Sequence, residues 1–270
     1  MRTLLLIFLF TTVVYGQERI YHSLYEGHSA FEIGKTYSLY GNDIKFRTLP
    51  STDSEVISLL KIGEEVEILE KTDELLKYNG IDSPFYKVKY NGKEGYILGG
   101  LISLEKKILG NSTYLFAYKK EKGNTRPFLL IRHVDEKGEY TETVSELYTD
   151  HQFSIELYDN RGVEGIKNIM YVSYMAEACG VDGGGIYYFR LDKELKEVFR
   201  VTQVGDAGVY SFVETLTFPS DKEGVKGKII YNKSVWESDE EETWYNQRTT
   251  YRQLRWENGE IVPKEDEDRL

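Results

Sequence analysis

The chain contains a single cysteine, Cys179, in 270 residues, so no internal disulfide can form and stability must come from burial alone. Proline and methionine are scarce as well, five and three against twenty-two tyrosines, a balance that favours β structure over helix bundles. Positive charge is in deficit. With 34 Lys and Arg against 45 Asp and Glu the net charge is −11, which argues against nucleic acid and anionic membrane surfaces as partners. Long hydrophobic runs are also missing. The apolar stretch Leu4–Phe10, continued by Thr11–Gly16, is too short and too close to Gln17-Glu18-Arg19 for a membrane span. Arg2 precedes it and the small Gly16 ends it, so residues 1–16 read as a secretory signal peptide removed before Gln17. No cysteine stands near that break, which excludes lipid attachment there. The expectation is a soluble exported protein, periplasmic or extracellular, without stable membrane insertion.

Motifs that carry chemistry are missing too. The histidines His22, His28, His133 and His151 have no neighbours at zinc-ligand spacing, such as His-Glu-x-x-His. Asp182-Gly183-Gly184-Gly185 is not followed by Gly-Lys-Ser/Thr, so it reads as a flexible hairpin connection and not as a phosphate loop. Glu237-Ser238-Asp239-Glu240-Glu241-Glu242 lacks the alternating carboxylates and central glycine of a calcium loop, and reads as a solvated hairpin tip. Cys179, in Glu177-Ala178-Cys179-Gly180, reads as a small hydrophobe ending a buried strand. No catalytic residue, metal ligand or cofactor is therefore expected.

What the chain does have is concentrated between Ile44 and Ile102. Val56-Ile57 and Leu59-Leu60 form a short apolar run punctuated by Gly63. Val66 and Ile68 alternate with Glu65 and Glu67, and Tyr86, Val88 and Tyr90 alternate with Lys87 and Lys89, the period of half-buried strands. Asn91-Gly92 then supplies the two positive-φ residues of a type I′ hairpin, and Gly95-Tyr96-Ile97 begins the return strand. An earlier strand at Thr36–Tyr40 belongs to the same unit.

With Arg47, Pro50 and Ser51 at its opening and Phe85-Tyr86 and Gly95-Tyr96 near its close, this stretch resembles a bacterial SH3-type (SH3b) domain. The resemblance covers about Thr36 to Leu104. It implies a small barrel that binds a ligand and does no chemistry. Leu49 replaces the usual glycine, Phe85 and Tyr96 stand where the family often carries tryptophan, and Lys71–Pro84 is longer than the corresponding loop. Phe85 and Tyr96 are accordingly the candidate ligand-binding residues, with packing in the core as the alternative role. A cysteine peptidase commonly fused to such domains carries an Asp-Cys-Ser-Gly type motif with its histidine downstream. Here all four histidines precede Cys179, outside that pattern.

The expected organisation is a signal peptide (1–16), an N-terminal extension (17–35), the SH3-like domain (36–104), a β-rich domain (112–262) and a charged tail (263–270). Glu105-Lys106-Lys107 and Gly110-Asn111-Ser112 read as the linker. Strands are expected at 113–118, 128–134, 140–147, 153–158, 166–176, 186–191, 197–204, 209–218, 228–236, 243–256 and 260–262. The fold class is all-β, a small SH3-like barrel followed by a larger antiparallel region, whether sandwich, barrel or propeller-like. No repeat of fixed period is visible, which counts against a propeller. The segment 166–176 is apolar on both faces and should be covered on both. The segment 243–256 places Tyr245, Gln247, Thr249, Tyr251 and Gln253 on one face, with Trp244, Asn246, Arg248, Thr250, Arg252, Leu254 and Trp256 on the other. Such a mixture suits a glycan platform, although cross-strand aromatic pairing on a solvated sheet is the ordinary reading and the favoured one. Two function classes follow. One is a non-enzymatic binding protein of the cell envelope, docking on cell-wall peptide, glycan or another envelope protein. The other is an envelope hydrolase whose Asp/Glu pair lies scattered in the β-rich region.

Overall fold

A computed structural model describes residues 19–23, 31–124, 126–147, 152–175, 179–206, 208–239, 241 and 244–263. The expected signal peptide, His28, His151 and the tail beyond Pro263 lie outside the described residues. Among those described the fold is all-β, with no α-helix.

After β1 (Tyr21–His22), six strands build the SH3-like barrel: β2 (Thr36–Ser38), β3 (Ile44–Arg47), β4 (Val56–Leu60), β5 (Glu65–Tyr78), β6 (Ile81–Tyr90) and β7 (Lys93–Leu98). They run in the order β2-β5-β6-β7-β3-β4, and Leu39, just after β2, bridges to Ile102 where the chain leaves the barrel. Strict alternation sends Val66, Ile68, Tyr86, Val88 and Ile97 into a core shared with Phe46 and Leu60. Phe31, from the N-terminal extension, joins that core with its ring edge-on to Tyr37 and Tyr86 at 4.9 and 5.5 Å. Burial pushes the Tyr86 hydroxyl up to about 12. Asn91 and Gly92 take φ of 47° and 77°, as the hairpin signal demands.

The long segment 71–84, expected as a loop, is an extended hairpin. β5 and β6 continue their pairing to Tyr78↔Ile81, with register shifts on the way, and turn through Asn79-Gly80 at φ of 49° and 76°. This is the same turn chemistry as Asn91-Gly92, and it stands in the sequence just as plainly. The Asn79 carbonyl accepts from the Lys120 amide at 2.8 Å, so the hairpin tip leans on the next sheet.

That sheet has four strands, β8 (Lys106–Leu109), β9 (Ser112–Lys119), β10 (Phe128–Val134) and β11 (Tyr140–Glu146), in the order β11-β10-β9-β8. The stretch read as a linker is thus strand β8 and its turn, and Glu105 just before it is buried. Both faces of the sheet are covered. Leu115, Ala117, Leu130 and Val134 meet Tyr40 and Ile62 of the barrel, while Tyr114, Phe116, Tyr118, Leu129 and Ile131 face the other way. Fully buried side chains of this size contribute about 1.5–3 kcal/mol each. Alternation within Tyr114–Tyr118 therefore joins three layers.

The third layer is a meander: β12 (Phe153–Tyr158), β13 (Asn168–Tyr174), β14 (Gly183–Arg190), β15 (Leu195–Asp206), β16 (Tyr210–Thr217), β17 (Ile229–Ser238), β18 (Tyr245–Glu257) and β19 (Glu260–Val262). Each pairs with the next, and β1 adds to the β12 edge, giving nine strands. Met170, Val172, Ile186 and Tyr188 pack on the four-stranded sheet. On the reverse face Ile169, Tyr187 and Phe189 share a core with Ile229 and Leu254. In a flat sheet β17 and β18 would lie too far from β14 for that contact, so the sheet curls into a half-barrel. The expected double coverage of the 166–176 segment holds for β13, although Ile166 precedes the strand and Ala176 is outside the described residues.

Two expectations fail here. Gly183–Gly185 are not a flexible connection. They open β14, whose eight residues are all buried, with β13 on one side and β15 on the other. Cys179 is not buried: it is exposed at a turn, because the chain has already left β13.

His133 of β10 meets Arg190 of β14 between the sheets, its Nδ1 2.9 Å from Arg190 Nη2. The guanidinium can only donate, so His133 must be neutral to accept. Burial first, and Arg190 second, hold its pKa below the ordinary 6.5, with Asp135 acting weakly against them. The unfolded chain therefore takes up a proton more readily than the folded one. The stabilisation is complete above pH 6.5 and is lost as pH falls through the lowered value. Urea midpoints should drop on acidification from pH 7 to 5, and His133→Gln should flatten that part of the profile. An unchanged slope in the variant would remove His133 from the account.

Candidate functional site

Alternation along β6 decides where Phe85 goes. Tyr86 and Val88 point into the barrel core, so Phe85 and Lys87 point outward. Pairing of β6 with β7 sets Leu98 opposite Phe85 and Tyr96 opposite Lys87, so all four share the outer face. Phe85 is nevertheless only 5% exposed, because the extended hairpin supplies a wall beside it. A groove of about 300 Å³ results, with Phe85 and Leu98 in its lining, Leu76 and Tyr78 from the end of β5, and Ile44 and Arg47 from β3. Arg47 donates from Nη1 to the Ser54 carbonyl at 2.6 Å and so holds the Thr48–Glu55 turn beside the groove. Lys45 and Asp43 bring opposite charges to the rim, and Asp43 is paired with Lys61 at 2.6 Å.

The Tyr78 wall is backed by the four-stranded sheet. Arg132 lies between the rings of Tyr40 and Tyr140, 4.2 Å from each centroid. It donates to Glu142 Oε2 at 2.8 Å and to the Tyr40 carbonyl at 2.7 Å, and the Tyr40 hydroxyl donates to the same carboxylate at 2.8 Å. Burial raises the pKa of Tyr78, with Arg132 opposing and Glu142 and Tyr140 adding to the rise. Tyr40 is raised for the same leading reason. These hydroxyls stay protonated at neutral pH and act as hydrogen-bond donors. The cluster fixes the barrel on the sheet and, with it, one side of the groove.

The two sequence candidates therefore separate. Phe85 lines the groove. Tyr96 is half-buried on the same outer face, opposite Arg47 and flanked by the Lys87–Glu94 pair at 2.7 Å, but it does not line the groove. Sequence reasoning missed Leu76 and Tyr78, which reach the site only because Asn79-Gly80 turns the chain. Elsewhere, His22 is bound to Glu105 and His133 to Arg190, and Cys179 stands at its exposed turn. Among the described residues no three His, Cys, Asp or Glu side chains converge as a metal site. The groove can hold an apolar or aromatic group against Phe85 and offer hydrogen bonds at its rim.

Residues 42–103 match the family model of the bacterial SH3 domain. The match covers that segment and leaves the β-rich remainder unassigned. No curated protein and no solved structure shows significant similarity to the chain. Among the described residues no helix is long and apolar enough to cross a membrane.

Proposed function

We propose that this is an exported binding protein of the bacterial cell envelope, without catalysis of its own. Its SH3-like barrel docks on a cell-wall peptide, a glycan or another envelope protein through the groove beside Phe85. The observation that carries the proposal is the groove itself, an aromatic-lined cleft on the outer face of a barrel whose segment belongs to the bacterial SH3 family. Its volume of about 300 Å³ suits a few anchoring side chains, with rings supplying most of the binding energy. Export is supported by Arg2, the apolar Leu4–Phe10 stretch and the small Gly16.

One experiment tests both parts. Protein recovered from fractionated cells should be found outside the cytoplasm with its N-terminus near Gln17, and should be retained on purified peptidoglycan sacculi. Phe85→Ala should weaken retention by about 30-fold, the scale of a ring anchor worth some 2 kcal/mol. Because Phe85 is buried, Leu76→Ser at the 38% exposed wall serves as a second variant that leaves the barrel core untouched. Circular dichroism should stay native in both. Retention unchanged in either folded variant would move the site elsewhere. A mature form keeping Leu4–Phe10 would end the export reading. Hydrolysis of the sacculi by wild type, abolished by Cys179→Ser, would overturn the binding reading altogether.

A further inference from the structure

The outer part of the meander, where the end of β15 runs beside β16, β17 and β18, has two faces of opposite character. Register fixes which residues share each face. Tyr210↔Glu237, Val235↔Arg248 and Lys233↔Thr250 put one set together, and Ser211↔Trp236, Trp236↔Gln247 and Asn232↔Tyr251 put the other together. The first face carries the charges, Glu214, Lys233, Glu237, Arg248 and Arg252, with Arg248 paired to Glu237 at 3.3 Å and the Lys233 ammonium 4.9 Å from the Phe212 ring.

The second face has none. Across Ser211–Thr215, Asn232–Ser238 and Tyr245–Gln253, every side chain on that side is a hydroxyl, an amide, an aromatic ring or Val213. In a chain that is 29% charged, eleven exposed or half-buried positions without one charge are a selective arrangement; Ser238, the twelfth on that side, is buried. Tyr245 and Tyr251 are 74% and 55% exposed, and Trp236 lies half-buried on the strand between them and β16. Along β18 the two tyrosines are six residues apart, roughly 20 Å. Gln247 and Thr249 stand between them, exposed. Exposed rings grouped on one face and surrounded by polar side chains mark an interaction surface.

We infer that this face binds a neutral polysaccharide strand. Ring faces carry partial negative charge and attract the polarised C–H groups of a sugar. Amides and hydroxyls between the rings match its hydroxyl and acetamido groups, donor to acceptor. An uncharged surface neither repels nor mispairs with an uncharged chain, whereas a polyanion would find no cation on this side and would be drawn to the arginine face instead. The 20 Å span asks for several consecutive sugar units. This site is separate from the barrel groove and does not depend on it, so the protein has two points of attachment, one of them sugar-specific.

The full-length mature protein is titrated with a pentasaccharide of N-acetylglucosamine, with cellopentaose and with heparin as the anionic probe. Binding is read by calorimetry and by tryptophan fluorescence. The expected result is saturable binding of a neutral oligosaccharide that improves with chain length. Tyr245→Ala and Tyr251→Ala should each weaken it about five-fold, as loss of one ring contact does. Thr249→Lys, a charge placed at the centre, should weaken it further. Arg248→Ala on the opposite face should leave it unchanged, whereas binding that is lost in Phe85→Ala and kept in Tyr245→Ala would assign the sugar to the barrel groove and overturn the inference. No binding of either neutral oligosaccharide, or heparin binding alone, would overturn it. So would dimerisation of the chain that is lost in Tyr245→Ala, which would make the face a contact between copies.

Discussion

Gly185→Ala should fail to give a stable protein, although it adds one methyl group. β14 lies between β13 and β15, with Gly185 opposite both Ser173 and Val201. A Cβ at Gly185 would stand 2.2 Å from the Val172 carbonyl and 2.5 Å from the Tyr171 ring. That ring is not free to retreat, because it stacks on Tyr187 at 4.2 Å and 19° in the second core. Gly184 next to it has φ of 99° and would place its own Cβ 2.1 Å from the Val201 carbonyl. A glycine inside a strand marks such a close approach. The missing side chain is replaced by a neighbour's ring, and the strand can be restored only by moving backbone on both sides. The loss should reach about 3–5 kcal/mol, the range of the severest single substitutions. Gly205→Ala is the control. There the new Cβ would meet only the Tyr210 carbonyl, at 3.9 Å, and stability should stay within about 0.5 kcal/mol of wild type. Thermal unfolding of the two variants side by side is the measurement. Similar melting temperatures for both would show that β14 is not locked as described.

The second large effect is electrostatic. Glu105 is buried between two side-chain partners, with Oε1 3.0 Å from His22 Nε2 and Oε2 2.9 Å from Lys107 Nζ. The three side chains are 4–10% exposed, His22 8%, Glu105 4% and Lys107 10%. His22 belongs to β1, which pairs with β12 through His22↔Phe153, so this carboxylate fastens the N-terminal strand to the meander and to β8 at once. Glu105→Ala should cost about 3–5 kcal/mol, because the Lys107 ammonium would then be buried without its partner. Lys107→Met in the same chain should recover much of that, since an apolar residue of similar length has no charge to strand. Urea unfolding of the single and double variants tests it. A loss below about 1 kcal/mol in Glu105→Ala would mean that water reaches Lys107 and the triad is a surface feature.

Much of the secondary structure could be read from the chain because its causes are local. Phe128–Val134 and Phe153–Tyr158 form strands at the positions expected, and Asn91-Gly92 turns as its φ preference requires. The alternation of β18 was visible residue by residue, and so was the face that holds Tyr245 and Tyr251. Asn79-Gly80 carried the same signal as Asn91-Gly92, and the segment around it looked like a loop only against the usual length of the family's loop. By contrast, Glu105 and Lys107 look like a linker in sequence, because charged residues are ordinarily exposed. Their burial depends on β1 arriving from more than 80 residues away.

The sequence by itself determined the all-β character, most of the strand positions, the barrel and the faces of those strands, since side-chain period and turn chemistry are properties of neighbouring residues. Only the tertiary structure decided that three consecutive glycines are the buried start of a strand, that an extended hairpin walls a groove beside Phe85, and that three strands align their uncharged faces. Those outcomes rest on register and on sheet curl, which join residues distant in the chain and leave no mark on either partner alone.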